Sequence, residues 1–560
     1  MIAPSSKGPA LTSVASAGRV CALLGAAAVV LTACGTATNT ADVTGSAKPV
    51  YGGTLTYLED RQESCIDPQI GGDIPQAMIG QQYTDDIVYE GAGGKIEPWL
   101  AKSWTISPNG LTYTFTFRDN VKFTDGTPLN AAAVQANFAR VVNPKTGSST
   151  DGGYIAPFYK SSKVVSQYVL QVNLSTPDSS FLDVLAQGYF GIESPKAFAR
   201  GISKNCLYPV GSGPFEVEKD IPNQEVILVR NPDYNSPAPG STHAGPAYLK
   251  EIIWKIVPDE SVRWAALTEN QANVIYNPPA QDYASAKAAN ITMFDKERPG
   301  SPNSILFNTA VPPFNNVLVR QAFRYGSNEQ ANLKSAYFGT YPYVGGPLVP
   351  GTPDYDPAYA NAYPSDPAKA GQLLAEAGYT GRDSQGYRTK GGQALTVSLP
   401  YDSDSGQTPP EDLTLYQDIQ ASEKAAGIDV KLEPISTTEL DNLYTGKTGY
   451  QLLAGGYWIT NTPDVLRTLY STQALKYYGT NADHYSNPVL DKMLADGLAA
   501  QNPAQRAAIY DRAQAFVSQQ ALLLDLYPAE ERLAINANTH GVSADYAVGL
   551  PDFYDTWISQ

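Results

Sequence analysis

Apolar and polar residues alternate strictly over residues 111–117. Leu111, Tyr113, Phe115 and Phe117 are separated there by three threonines. A period of two places the apolar side chains on one face of a β-strand and the threonines on the other. Alternating or apolar runs of similar length predict further strands over residues 52–58, 168–174, 225–230 and 252–257.

Signals at helix ends predict helices between these strands. Asp366 and Pro367 fit the start of a helix, and Gly378 fits the position just past its end. Other helix starts, each with an asparagine in the capping position, are predicted at Asn130, Asn487 and Asn502. Strands interleaved with helices over this length indicate an α/β architecture.

The N-terminal stretch has the parts of an export signal. Lys7 and Arg19 are its basic residues, residues 20–30 are apolar or small, and Leu31-Thr32-Ala33-Cys34 follows. The apolar run is too short to cross a bilayer, which takes about 20 residues of helix. The last four residues resemble the bacterial lipobox, in which the cysteine is diacylglyceryl-modified and becomes the mature N-terminus. The alternative is an ordinary secretory signal with an incidental cysteine.

We therefore expect residues 1–33 to be a lipoprotein signal peptide and Cys34 to carry the lipid. The mature chain would then lie outside the cytoplasm, anchored to the bacterial cell membrane. Residues 34–50 are mostly Thr, Ala, Gly and Ser, and they are expected to form a flexible tether.

Two of the four cysteines remain when Cys21 leaves with the signal and Cys34 is lipidated. In an oxidising compartment, the remaining Cys65 and Cys206 favour a disulfide, and the alternative is two unpaired buried thiols. A bridge would close a loop of about 140 residues. In the chain-entropy model such a loop stabilises the fold by roughly 5 kcal/mol.

The chain is acidic, with a formal net charge of −16. Removing Lys7 and Arg19 with the signal takes the charge of the mature chain to −18. This balance argues against binding nucleic acid, whose phosphates need a basic surface, and against adsorption to anionic lipid. An acidic, solvated surface is the simplest interpretation.

Seven segments follow one another in a recognisable order: Ile96–Trp104, Gly110–Pro128, Pro209–Phe215, Arg230–Tyr234, Pro312–Phe323, Pro367–Gly378 and Ala426–Val430. In this order, behind a lipobox, they are similar to the family-5 extracellular solute-binding proteins of peptide and nickel ABC importers. The resemblance covers nearly all of residues 51–560. It implies a two-lobed α/β fold of the periplasmic-binding-protein type (type II, large peptide-binding class), with a hinge and a cleft between the lobes.

The resemblance also implies a division of the chain. Lobe one would comprise residues 51–299 with an extra subdomain, lobe two would comprise residues 300–524, and residues 525–560 would return to lobe one. Such proteins close over a ligand because it contacts both lobes and binds the closed state better. Within Pro209–Phe215 we expect a positive φ at Gly211 or Gly213, where the chain reverses.

Gly455–Asp464 resembles the loop of lobe two that faces the cleft in this family. The resemblance implies that Tyr457 and Trp458 contact the ligand; the alternative is that both are core aromatics. Asp464 matches a later family aspartate, which also fits a turn or cap. Asn461 falls where peptide-binding members often place the carboxylate that meets a peptide's α-amino group. An amide accepts a hydrogen bond from an ammonium group without neutralising it, so this departure weakens the case for ordinary peptides.

Glu59 and Asp60 lie at the end of the first predicted strand. Strand ends commonly line the crevice of α/β proteins, so a carboxylate of this pair is expected to meet a cationic group of the ligand, and Glu59 is the candidate chosen. The alternative is a solvated loop acid.

The sequence contains no motif that indicates catalysis, a cofactor or a metal site. Gly446-Lys447-Thr448 is similar to the end of a P-loop, but Asp441 stands where that motif requires glycine. The three histidines are far apart in sequence, and Gly211-Ser212-Gly213 lacks the full G-x-S-x-G pattern. We therefore expect no catalytic residues, no cofactor and no protein metal site.

The leading hypothesis is a lipid-anchored receptor that captures a peptide or peptide-like solute. It would deliver this solute to the permease and ATPase subunits of an ABC importer. One alternative is a receptor for a nickel chelate, another metallophore or another non-peptide solute. A second alternative is a lipoprotein that senses a peptide or binds a partner without import. We expect a monomer that contacts the membrane through its N-terminal lipid.

Overall fold

The computed structural model of the chain describes residues 48–63, 65–148, 153–444, 446, 449–476 and 480–559. Contacts group Pro49–Gln560 into one unit. The predicted signal peptide, the lipidation at Cys34 and most of the predicted tether lie outside the described residues. Within the described part, none of the helices combines the length and apolar character that a membrane span requires.

The largest sheet takes its strands from both ends of the chain. In spatial order its seven strands are Thr292–Glu297, Glu530–Ile535, Val274–Tyr276, Thr54–Glu59, Glu251–Ile256, Glu225–Arg230 and Phe215–Ile221. The strand Thr54–Glu59, predicted from the sequence, is central and runs parallel to both of its neighbours. Because Glu530–Ile535 joins this sheet, the chain returns to lobe one after leaving it. This return supports the proposed division into lobes, whose boundaries stay a prediction.

A four-stranded antiparallel sheet contains the alternating segment of the sequence. Its order is Ala101–Ile106, Thr112–Phe117, Val169–Leu174 and Tyr159–Ser166. Burial alternates along Thr112–Phe117, with the aromatic side chains buried and the threonines half-buried, as predicted. The helix Ala131–Val141 packs on this sheet. The predicted cap is confirmed, because Asn130 accepts a hydrogen bond from the N–H of Ala133 at 3.0 Å.

Lobe two is built on a three-stranded antiparallel sheet and a parallel pair. The sheet has the order Leu452–Ile459, Gly300–Phe307 and Leu523–Tyr527, and the pair is Thr396–Asp402 with Asp429–Ile435. The helix starts predicted at Asp366, Asn487 and Asn502 are confirmed, because each side chain accepts a backbone N–H of the first turn. Gly378, just past the first of these helices, has φ +95°, as its predicted position requires.

The remaining strands are short: Val88–Gly91 with Lys95–Pro98, Gly381–Arg382 with Arg388–Lys390 and Gln393–Ala394, Thr539–His540 with Trp557–Ile558, and Ser543–Ala544 with Pro551–Asp552. The α-helices are Ile74–Tyr83, Ala131–Val141, Phe181–Val184, Pro195–Phe198, Ile202–Asn205, Glu260–Thr268, Tyr283–Ala286, Val317–Gly326, Glu329–Ala336, Pro367–Glu376, Pro410–Ala426, Thr437–Tyr444, Val465–Tyr470, Pro488–Ala499 and Pro503–Gln520. Single 3₁₀ turns lie at Gly188–Phe190, Ala280–Asp282, Lys287–Ala289, Pro357–Tyr359 and Ala474–Lys476.

The expected positive φ at Gly211 or Gly213 is wrong. Neither residue is among the glycines with positive φ. Both lie against the backbone of Tyr83, where an added Cβ would overlap the Tyr83 main chain. The N–H of Gly213 donates to the Tyr83 carbonyl at 2.9 Å. These glycines therefore allow two backbone segments to approach closely, rather than supplying a left-handed conformation.

A disulfide joins Cys65 and Cys206, whose Cα atoms are 4.7 Å apart. Next to it, the N–H of Ile66 donates to the Cys206 carbonyl at 3.2 Å. The bridge therefore ties the segment that follows the central strand to a distant part of lobe one. Arg61 and Asp73 belong to this segment, and both reach the cleft described below.

Candidate functional site

The chain crosses between the lobes in two adjacent segments. In one of them the N–H of Arg298 donates to the carbonyl of Ala529 in the other, at 2.8 Å. The Arg298 guanidinium forms a buried ion pair with Glu531. Burial raises the pKa of the Glu531 carboxyl to about 7, and the charge of Arg298 opposes that rise. Residues of these two segments form part of the wall of the cleft between the lobes.

The larger cavity of the cleft, which we call the aromatic chamber, has a volume of about 440 Å³. Both lobes contribute to it. Its aromatic walls are formed by Tyr189, Tyr444, Tyr457, Trp458 and Tyr470. Three carboxylates also line it, from Asp73, Asp441 and Asp483. Among the described residues of its lining there is no Lys, Arg or His.

A smaller cavity of about 140 Å³, the polar chamber, lies nearer the crossing segments. It is lined by three guanidinium groups, those of Arg61, Arg298 and Arg532. It is also lined by carboxylates of Asp60, Glu260, Glu411, Asp412 and Glu530. Tyr457 lines both chambers. The cleft therefore offers an apolar, aromatic space on one side of Tyr457 and charges of both signs on the other.

Tyr457 and Trp458 lie on the strand Leu452–Ile459, which is hydrogen-bonded to Gly300–Phe307 and has Thr396–Asp402 packed beside it. Tyr457 is 36% exposed and faces the cleft. The N–H of Trp458 donates to Ser301 Oγ at 2.8 Å, and its ring packs against apolar clusters of both lobes. Gly300 has φ +129°, and an added Cβ there would overlap the Trp458 carbonyl. The crossing segment and the Trp458 backbone are therefore fitted to each other.

The cations of the polar chamber are held in place by neighbouring side chains. Arg61 pairs with Asp60 at 3.1 Å and with Asp73 at 3.5 Å. The Arg532 guanidinium lies between the rings of Tyr283 and Tyr341, at 4.2 and 4.0 Å from their centroids. Cation–π contacts of this kind stabilise an arginine that has little access to water.

Asp412 accepts hydrogen bonds from two tyrosine hydroxyls, Tyr337 at 2.8 Å and Tyr527 at 2.6 Å. Burial raises the pKa of the Asp412 carboxyl to about 6, while these hydrogen bonds oppose the rise. On the same rim, the N–H of Ala280 donates to Glu411 at 3.1 Å, from lobe one to lobe two. The lobes therefore contact each other at the edge of the polar chamber.

Asn461 is not brought to either chamber. It is 1% exposed, and its amide group bonds to lobe one. The Nδ2 group donates to the Glu90 carboxylate and, at 2.9 Å, to the Asp183 carbonyl, while Gln187 donates to Oδ1 at 2.6 Å. Asn461 thus acts as an interlobe contact in the structure and lines neither the aromatic chamber nor the polar chamber, and its contact with a ligand stays a prediction.

Asp464 and Glu59 also lie away from both chambers. Asp464 forms a buried ion pair with Arg467 at 2.6 Å and accepts a hydrogen bond from Tyr510 at 3.3 Å. Glu59 is fully buried behind Asp60 and accepts the Asp60 N–H at 3.1 Å. Burial, reinforced by the charge of Asp60, raises the pKa of Glu59 well above its ordinary value. The strand end does reach the cleft, but through Asp60 and Arg61.

Asp60 was singled out from the sequence together with Glu59, but the other charged residues of the polar chamber were missed by sequence reasoning. The argument that placed Glu59 at a strand end applies equally to Arg61, two residues later, and would have identified it. Arg298, Asp412 and Arg532 come from three distant parts of the chain. No local pattern marks them, because only the crossing of the two lobes brings them together.

The interlobe contact of Glu90 leads to a pH-dependent stability. Burial raises the pKa of the Glu90 carboxyl to about 8; the hydrogen bond from Asn461 opposes the rise, Asp183 and Asp545 add to it, and Lys296 opposes it. The pKa of Glu90 is higher in the folded protein than in the unfolded chain, so the contribution of its protonated form to folding stability is complete only at a pH below the pKa of the unfolded chain. This stability is lost as pH rises through the folded pKa.

We therefore expect Glu90→Gln, which still accepts a hydrogen bond from Asn461, to flatten this dependence. Relative to the parent protein it should gain about 3–4 kcal/mol of unfolding free energy between pH 5 and pH 9. Denaturant unfolding of both proteins across this range measures the difference. Parallel curves would show that Glu90 does not carry a raised pKa in the folded protein.

Comparison with known proteins identifies the fold and the kind of site. The sequence profile of the bacterial extracellular solute-binding proteins, family 5 Middle, matches residues 95–477. The chain belongs to this family. Members of family 5 are extracytoplasmic solute-binding proteins of ABC importers and not enzymes, so the function of this chain is to bind a solute.

Two family-5 relatives have different solutes in their names. The nickel-binding periplasmic protein of Escherichia coli (strain K12) is 28% identical over 450 residues, covering 77% of this chain and 81% of the relative. The glutathione-binding protein GsiB of Salmonella typhi is 28% identical over 464 residues, covering 80% of this chain and 84% of the relative.

A solved structure shows the same two-lobed family-5 fold. It is that of DppA, an ABC transporter-associated periplasmic binding protein from Helicobacter pylori, in complex with the peptide STSA. It superposes with a TM-score of 0.78 at 24% sequence identity, covering 91% of this chain and 99% of DppA. The expected fold class, two lobes with an intervening cleft, is thereby confirmed.

Proposed function

We propose that this protein is a lipid-anchored receptor that captures a short peptide or peptide-like solute and delivers it to an ABC importer. Cys34 would carry the lipid, and residues 34–50 would let the folded part reach the permease. The solute would bind in the two chambers, with Tyr457 and Trp458 among its contacts.

The observation that carries this proposal is the pairing of the chambers across Tyr457. An aromatic space of about 440 Å³ suits apolar side chains and falls within the usual size of solute pockets. The adjoining polar chamber presents guanidinium and carboxylate groups within one small volume. A short peptide carries groups that complement both chambers, because it has side chains together with an ammonium group and a carboxylate.

The strand Leu452–Ile459 supports the same proposal. It is the terminal strand of its hydrogen-bonded sheet, the strand Thr396–Asp402 packs beside it, and its residues 455–459 line the aromatic chamber. An extended peptide can add to such an edge through main-chain hydrogen bonds, which hold it independently of its side chains. A compact metal chelate makes no use of a strand edge.

The relatives do not decide between solute classes, because the nickel-binding and the glutathione-binding proteins are equally identical to this chain. Among the described residues, no three His, Cys, Asp or Glu side chains are grouped as a metal-ion site requires. The preference for a peptide therefore rests on the chemistry of the cleft and on the edge strand.

Thermal melting of a soluble form that begins at Gly35 tests the proposal. Mixtures of di- to tetrapeptides, glutathione and a nickel–histidine chelate would be added separately. A ligand at 100 times its dissociation constant stabilises the folded protein by about 2.7 kcal/mol, which a melting curve resolves. We expect the peptide mixtures to stabilise the protein most. Stabilisation by the chelate alone would replace the proposal with a metallophore receptor.

A further inference from the structure

A loop of lobe two, residues 403–409, contacts the main chain of lobe one beside the cleft. A Cβ atom added to Gly406 in this loop would lie 2.6 Å from the carbonyl oxygen of Asp60 and 3.5 Å from Cβ of Pro258. The first distance is an overlap that no rotamer change relieves, because the obstacle is backbone. Gly406 also has φ +82°, which glycine adopts readily. The two lobes therefore approach each other here to a distance that only glycine allows.

The loop is held in shape by hydrogen bonds within lobe two. The Asp402 carboxylate accepts the N–H of Asp404 at 2.9 Å, and the Asp402 carbonyl accepts the Thr408 hydroxyl at 2.5 Å. The Asp404 carboxylate accepts both the N–H and the hydroxyl of Thr437, each at 3.0 Å. Because these bonds do not involve lobe one, they can keep Gly406 in place whether or not the lobes are in contact.

The opposing surface on lobe one is also held in place. Asp60 directly follows the central strand, and its carboxylate accepts a hydrogen bond from Asn277 at 2.6 Å and pairs with Arg61 at 3.1 Å. Arg61 from lobe one and Gln407 from lobe two both line the polar chamber. A shift of the lobes at the contact of Gly406 with Asp60 therefore moves the walls of this chamber.

From this close approach we propose that Gly406 is a positioning residue for solute binding: its missing side chain sets how far the lobes close around the solute. A hinged protein binds most tightly when both lobes contact the solute, so an obstacle that stops closure early weakens binding without touching the solute. On the same rim, the hydrogen bond from the Ala280 N–H to Glu411 also requires the lobes to be close. The proposal rests on the solute-binding role of the family and not on the class of solute.

Gly406→Ala adds a single methyl group at this contact. The backbone of Asp60 and the braced loop have little room to yield, so the lobes should stop short of their present separation. We expect solute affinity to fall about tenfold or more.

Gly386→Ala is the matched control. Gly386 lies in the turn of lobe two between Gly381–Arg382 and Arg388–Lys390, and its φ is +91°. An added Cβ there meets nothing within 4 Å. This variant therefore carries the same kind of backbone strain without the overlap, and it should leave closure and solute binding unchanged.

Closure is measured without a solute, by chemical trapping in the soluble form that begins at Gly35. Glu260→Cys and Gln407→Cys place thiols on opposite lobes at the polar chamber, where a short bismaleimide can link them. The linking rate is divided by the rate at which a monofunctional maleimide modifies the same thiols, which corrects for their accessibility. In this background, Gly406→Ala should slow linking about tenfold, and Gly386→Ala should change it less than about twofold.

The outcomes separate this proposal from the proposed function. Equal linking rates with and without Gly406→Ala, or equal slowing by Gly406→Ala and Gly386→Ala, overturn the proposal. In melting experiments without the added cysteines, any of the peptide mixtures, glutathione or the nickel–histidine chelate that stabilises the parent protein should stabilise Gly406→Ala less, and equal stabilisation also overturns it. If none of these compounds stabilises the parent protein, the proposed function loses its support, while the linking rates still decide the role of Gly406.

Discussion

Replacing Tyr457 by alanine is expected to weaken solute binding by about 10–100-fold. This side chain lines both chambers, so a solute that spans them covers it. Full burial of a large apolar side chain is worth about 1.5–3 kcal/mol, which corresponds to that loss of affinity. Titration of the parent and variant with a peptide found by the melting screen measures it.

The unliganded variant should melt at nearly the temperature of the parent protein, because Tyr457 is 36% exposed and leaves no filled cavity behind. Tyr208→Ala is the matched control, since Tyr208 is also exposed but lies outside both chambers. Equal affinities of the parent protein and Tyr457→Ala would place the solute elsewhere. Loss of affinity together with a large drop in melting temperature would instead identify Tyr457 as a structural residue.

Removing the disulfide with Cys65→Ser and Cys206→Ser together should lower the unfolding free energy by about 3–5 kcal/mol. The bridge spans 141 residues of sequence, and closing so long a loop restricts the unfolded chain strongly. The loss should also reach the cleft, because Arg61 and Asp73 lie on the segment that the bridge secures. Denaturant unfolding measures the stability, and titration measures the affinity.

The parent protein treated with a reductant serves as the comparison for the double variant. It should show the same loss of stability once the bridge is reduced. A double variant as stable as the oxidised parent protein would show that the hydrogen bonds around Ile66 hold this segment without the bridge. If the double variant is less stable but binds the solute with unchanged affinity, the position of the segment that carries Arg61 and Asp73 does not depend on the disulfide.

Much of the local structure follows from the sequence because the signals are local. Alternation over residues 112–117 and the caps at Asn130, Asp366 and Asn502 depend only on neighbours within a few residues. The positive φ expected at Gly211 or Gly213 failed for the opposite reason. Those glycines are required by Tyr83, which is distant in sequence and adjacent in space.

The site was predicted less well. Trp458 and Tyr457 were identified by resemblance and do line the cleft. Asn461 follows Trp458 by three residues, yet it is turned toward Glu90 and Gln187 of lobe one. Nothing in its own segment specifies those partners. The chambers are formed by two lobes meeting, so their composition depends on pairs of residues that are far apart in the chain.

The most direct test of a peptide receptor is native mass spectrometry of the soluble form purified gently from cells, beside its Tyr457→Ala variant. Denaturation would release whatever each protein carries. We predict a set of short peptides released from the parent protein and largely absent from the variant. Release of one metal chelate or another non-peptide compound from the parent, or identical peptide loads from both proteins, would contradict the account.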